Sequence, residues 1–232
     1  MASTYYLRNT TANGLSDTGR TICYDMSSSP GSSMETAVVT LVKDATEIDW
    51  TKTEGGDTIG WISGRIPAGG YTLTDIAFSS WGKESDVNDN AGIGYRLYRY
   101  QPGSPPTITQ IDATLEHANE LGTSAGEQYT VFNVTDTAFN EGDRILIVPC
   151  AIDVGSMTAG TAELYWNAAD GATGDMLISL VPNVTLVEDA QDLGVKVLVG
   201  GAWKTVASAK VMVGGAWKDI TSVKKMVGGA WK

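Results

Sequence analysis

His117, Cys23 and Cys150 are the only imidazole and thiol groups in the 232-residue chain. Any Ser-His-Asp or Cys-His relay would therefore have to run through His117. It sits in the sequence LEHANE, flanked by polar residues and without a recognisable nucleophile motif beside it. That context predicts a surface histidine with no catalytic role. One imidazole and two distant thiols do not make a tetrahedral zinc set, so they yield no metal centre. The two cysteines read as buried, unbridged thiols.

The acidic residues offer a second kind of chemistry. In Ser85–Gly92 (SDVNDNAG), Asp86, Asn88 and Asn90 alternate like the first ligands of a calcium loop. Ala91 stands where such a loop needs glycine, and Leu97 where it needs a bidentate glutamate. The stretch is therefore not an EF-hand and reads as an Asx-rich turn between strands. Ca2+ is the one cofactor its pattern would admit. Glu163, Asp170 and Asp175 form another acidic group, in a Gly/Asp loop. No spacing singles out a carboxylate pair for glycoside hydrolysis. GGDTIG and GIGYR lack both the glycine pattern and the following helix of a phosphate cradle. With no identifiable motif, enzymatic activity is not expected.

What remains is aromatic, and it repeats. Val195–Ser208 (VKVLVGGAWKTVAS), Ala209–Ser222 (AKVMVGGAWKDITS) and Val223–Lys232 (VKKMVGGAWK) share a 14-residue period fixed by Trp203, Trp217 and Trp231. Two successive glycines supply the positive φ angles of a tight hairpin turn, so each copy reads as strand, Gly-Gly turn, strand. That register pairs Leu198 with Trp203, Met212 with Trp217 and Met226 with Trp231. Cross-strand pairs share a face, which predicts a Leu/Met–Trp stripe. The opposite face would carry Val197, Val199, Val206, Val211, Val213 and Ile220. A 14-residue unit is too short to bury a face alone, so the copies must be covered, most simply by other subunits.

Val-Gly-Gly-Ala-Trp-Lys in tandem, running to Lys232, resembles the tail repeats of tailed-bacteriophage virion proteins. The resemblance covers residues 195–232. The opening short Tyr-Leu strand (Thr4–Arg8) also resembles β-sandwich virion proteins of tailed phages. The resemblance implies a non-enzymatic structural component, either tail- or fibre-associated or capsid-decorating. Such a protein would be assembled in the host cytoplasm and reside in the virion, meeting other copies of itself and other virion proteins. The alternative is a carbohydrate- or receptor-binding module, in which Trp61, Trp81 or the repeat tryptophans stack on host-surface glycan. Packing is the larger energetic term for an aromatic ring, which favours the structural reading.

Charge and composition bound the rest. Residues 1–187 hold 9 Lys+Arg against 23 Asp+Glu, and residues 188–232 hold 7 against 4. An acidic body lacks the clustered cations that phosphate binding needs, so nucleic acid is not an expected partner. No apolar run approaches a membrane span, and MASTYYLRNT lacks a signal-peptide pattern. Alternation predicts strands over Thr58–Ile66, Tyr71–Trp81 with a bulge near Asp75, and Ile93–Tyr100. Glu116–Ser124 is the one candidate for a short helix. Together these predict an all-β chain. Its parts are a sandwich body of jelly-roll or carbohydrate-binding-module type (1–187), an acidic hinge (188–194) and three hairpin repeats (195–232).

Overall fold

Frequent β-branched and aromatic residues, broken every few positions by Gly, Asn or Asp, make each regular element a strand. The computed structural model describes residues 3–11, 22–52, 58–103, 105–169 and 171–187, with the backbone of six short strands beyond them. It contains no helix among the described residues. The chain divides into two compact units, Met1–Glu188 and Asp189–Lys232.

The first unit contains β1 (Ser3–Thr11), β2 (Ile22–Ser27), β3 (Glu35–Leu41), β4 (Glu47–Asp49), β5 (Ile59–Ile62), β6 (Tyr71–Glu84) and β7 (Ala91–Gln101). It continues with β8 (Thr107–Gln110), β9 (Leu115–Glu116), β10 (Gly126–Phe139), β11 (Arg144–Asp153), β12 (Gly160–Trp166) and β13 (Leu177–Val181). One hydrogen-bonded path runs β3-β12-β6-β13-β1-β2-β5-β11-β7-β8, with β10 on β6, β4 on β11 and β9 on β7. Every pairing is antiparallel except β2 with β5. β1 makes the corner: Ser3–Tyr6 pairs with β13, Tyr6–Thr11 pairs with β2, and the register breaks between Leu7 and Thr11.

The two halves of this path fold face to face. Phe78 of β6 stacks on Tyr95 of β7, ring centroids 3.9 Å apart and planes 4° from parallel. Further along, Trp166 of β12 meets Trp61 of β5 edge-on at 5.7 Å and Tyr24 of β2 at 5.9 Å. One apolar core fills the space between the layers, and a smaller cluster of Cys23, Ile62, Tyr100, Leu146 and Val148 lies on the outer side of the second layer. Period-2 alternation explains the split: Ile59 and Trp61 point inward while Ile62 points outward.

In β6 the buried phase slips. Leu73 and then Ile76 and Phe78 are buried, with two residues, Thr74 and Asp75, between the first two. Opposite the slip, the β10 register breaks between Asn133 and Thr137. The irregularity therefore spans both strands, as a bulge does.

The expected helix at 116–124 is absent. Leu115–Glu116 pairs with Gly94–Tyr95 instead. The following segment bends at Ala118–Asn119 and is held against β7 by backbone bonds from His117 to Ile93 (3.0 Å) and from Leu121 to Ala91 (2.7 Å). Tertiary pairing with β7 outweighs a weak local helix preference.

The second unit contains β14 (Lys196–Val199), β15 (Ala202–Thr205), β16 (Lys210–Val213), β17 (Ala216–Asp219), β18 (Met226–Val227) and β19 (Ala230–Trp231). They form three separate two-stranded antiparallel sheets. Residues 188–194 and the Gly-Gly turns lie outside the described residues.

Candidate functional site

His117 is buried, not on the surface: 1 % of it is exposed. The inward parity of Leu115 continues through it, a signal that its polar neighbours obscure in the sequence. Its ring lies edge-on to Tyr95 and Phe132. Nε2 is 3.2 Å from Ser80 Oγ, which is in turn 2.6 Å from Tyr95 OH, and Nδ1 is 2.7 Å from Thr130 Oγ1. This has the outline of a serine–histidine relay with threonine in the orienting place. Ser80 is itself fully buried, so no substrate carbonyl reaches it. Burial holds the imidazole down to about 4, in the neutral form that bridges two hydroxyls. The arrangement cross-links β6, β7, β10 and the 115–121 segment.

The 85–92 loop brings Asp86, Asn88 and Asn90 together, closed on one another. Asp86 Oδ1 accepts from the Asn88 backbone N (2.9 Å) and side-chain Nδ2 (2.6 Å). Asn90 Nδ2 donates to the carbonyls of Asn88 (2.8 Å) and Ser156 (3.3 Å). The acid that anchors the loop is Asp89, which the alternating pattern passes over. It is buried and accepts from Ser85 Oγ (2.7 Å) and the Asp86 backbone N (2.9 Å). Glu84, also buried, accepts from the Ala91 N–H at 3.0 Å. Burial, opposed by that bond and reinforced by Glu120 and Asp89, pushes its carboxyl up to about 7. Among the described residues no group of three or more His, Cys, Asp or Glu converges as a metal site would.

The second acidic group does not assemble. Glu163 pairs with Lys83 at 3.2 Å, Asp175 accepts from the Gly171 N–H at 2.7 Å, and Asp170 lies outside the described residues. Both cysteines are buried. Burial raises the Cys150 thiol to about 12, far from a reactive thiolate.

The tryptophans divide by strand parity. Trp61 is fully buried and donates Nε1–H to the Arg8 carbonyl at 2.9 Å, so it presents no face to a sugar. Trp81 is half-buried on the outer side of β6, paired with Glu127 of β10. Two strand positions away, Tyr129 is 64 % exposed.

In the second unit the strands pair Leu198 with Trp203, Met212 with Trp217 and Met226 with Trp231. This is the register a Gly-Gly turn dictates, and it recurs in all three hairpins. The side chains of these six residues lie outside the described residues.

No protein-family model matches the chain, and no curated protein does. Among solved structures, two of a CocE/NonD family hydrolase from Staphylococcus aureus align over 78 % of this chain, at TM-scores of 0.47 and 0.48 and identities of 10 % and 9 %. The chain spans 36 % of that hydrolase's length. A structure of infectious bursal disease virus, Gx strain, aligns over 73 % of this chain and 40 % of its own, at TM-score 0.23 and 13 % identity.

Proposed function

We propose that this chain is a non-enzymatic structural subunit of a tailed-phage virion, tail- or fibre-associated or capsid-decorating. Its three C-terminal hairpins mediate attachment or oligomerisation. The observation that carries the reading is the threefold recurrence of one hairpin register, Leu/Met opposite Trp, in a unit separate from the sandwich. A single two-stranded hairpin is marginal in water, so three in series call for a covering partner. Leu198, Trp203, Met212, Trp217, Met226 and Trp231 are the contact residues of that reading. Its partners are other copies of the chain and other virion proteins. The burial of His117, Ser80 and Cys150 supports a body built for rigidity over turnover.

The test is the solution mass of the full chain beside a chain ending at Val187. A lower oligomeric state with the body still folded is expected. A shortened chain of unchanged oligomeric state would sink the proposal. A second reading, glycan binding, is favoured by one observation: Trp81 lies on the outer face of β6 with Tyr129 close by. Glycan binding that Trp81→Ala abolishes while the assembly stays intact would decide for it.

A further inference from the structure

Most strand edges of the body are blunted. β8 has four residues and directly follows Pro105-Pro106. β3 is bridged at Val38 by Thr51, with backbone bonds of 2.8 and 3.1 Å. β10 differs. It runs for 14 residues, pairs with β6 along one side, and no described strand pairs with its other side. Its sequence, GEQYTVFNVTDTAF, contains no Lys, Arg or Pro, and the devices that do protect it, the bulge after Asn133 and the Asp112 carboxylate on the Thr135 N–H (2.9 Å), lie beyond its regular stretch. Two of the large apolar side chains most open to water, Tyr129 (64 %) and Val131 (57 %), stand next to each other on its outer face.

From this we infer that the β10 edge is an interface between two copies of this chain, joined antiparallel about a twofold axis at Thr130. The occupant follows from complementarity. Paired residues must share a face, so only registers centred on a residue are open, and three of them are centred on Tyr129, on Val131 or on the residue between them. Centring on Tyr129 sets Glu127 against Val131. Centring on Val131 sets Glu127 against Thr135, past the break in register after Asn133. Centring on Thr130 sets Tyr129 against Val131 and Glu127 against Asn133, and the symmetry makes each pair twice. An aromatic meets a β-branched residue, a carboxylate meets an amide, and no acid meets an acid. The two edges then join into one continuous sheet by main-chain bonds.

This inference names the partner within the assembly reading and rests on it for the expectation that copies meet. Its contacts are distinct from the tail hairpins. The experiment measures the solution mass of four full-length proteins: wild type, Val131→Lys, the triple variant Trp203→Ala/Trp217→Ala/Trp231→Ala, and the combination. A twofold fall in mass for Val131→Lys at an unchanged melting temperature is expected, with or without the tail substitutions. If Val131→Lys keeps the wild-type mass while the tryptophan variant loses it, the β10 interface is overturned and tail assembly stands. The converse leaves β10 standing and sinks tail assembly, and a monomeric wild type overturns both. Should Val131→Lys misfold, amide exchange in the wild type decides. Protection over residues 127–133 that grows with protein concentration supports the interface, and protection independent of concentration overturns it. Because the chain carries a net charge of −11, salt should strengthen this dimer by screening body–body repulsion.

Discussion

Burial holds His117 down to about 4 from 6.5 and pushes Glu84 up to about 7 from 4.5, so the two groups act on stability in opposite directions. As pH falls below 6.5, an unfolded chain gains a proton that folded His117 refuses, and stability is lost progressively down to pH 4. Folded Glu84 keeps a proton that the unfolded chain gives up. Its contribution is full below 4.5 and is lost as pH rises to 7. Between 4.5 and 6.5 the slopes offset, so the melting temperature should be nearly flat there. Asp86, Asp112 and Asp153, held below 3.8 by backbone N–H groups, add a loss only at lower pH. Glu84→Gln should expose the histidine slope, with melting temperature climbing from pH 4 to 6.5. His117→Gln should expose the reverse, a fall from pH 4.5 to 7. Melts at half-unit pH steps check both, and two flat variants would refute the assignment. Trp61→Ala removes the ring between Tyr24 and Trp166 and leaves the Arg8 carbonyl without its donor. It should cost about 3–5 kcal/mol in urea unfolding.

At the level of elements, Gly94 shows why β7 lies where it does. A Cβ there would come within 2.6 Å of Ile152 Cγ2 and 3.0 Å of Cys150 Sγ. Both belong to β11, which β7 pairs with from Ala91 to Tyr100. Gly94→Val should therefore destabilise by about 1–3 kcal/mol through overpacking, read as a lower urea midpoint at unchanged slope. Elements whose inward and outward residues differ in type were legible in the sequence. Ile59/Trp61 against Ile62, and Tyr95/Leu97 against Tyr98/Tyr100, fall on the faces that alternation assigns. His117 was not legible, because Glu116, Asn119 and Glu120 make its surroundings polar while β7 and β10 cover it from elsewhere in the chain. Asp89 was missed because its local bonds to Ser85 and Asp86 leave no mark in the alternating pattern and its third partner, Thr158, is 69 residues away. The path of the sheet was equally hidden, since parallel β2–β5 pairing joins Ile22 to Ile59 without any local mark.

For the whole molecule, charge and chain division act together. Most acidic residues lie in the sandwich unit and most tail charges are lysines, so removing residues 188–232 takes the net charge from −11 to −14. A chain ending at Val187 should melt cooperatively near the full-length temperature, because the core between the layers lies within the first unit. Calorimetry checks this, and a drop of more than about 8 °C, the shift that roughly 2 kcal/mol produces in a domain of this size, would count against it. The corner strand also has a consequence in time. Thr4 and Ser179 face each other with hydroxyls 3.2 Å apart, although 175 residues separate them in the sequence. A chain emerging from the ribosome amino end first carries β1 with one edge vacant until β13 is made. Closure of the sheet is thus a late event in biosynthesis, governed by the length of message already read. A nascent chain that stops short of Leu177 lacks the strand that covers Ser3–Tyr6 and leaves that edge open to other chains.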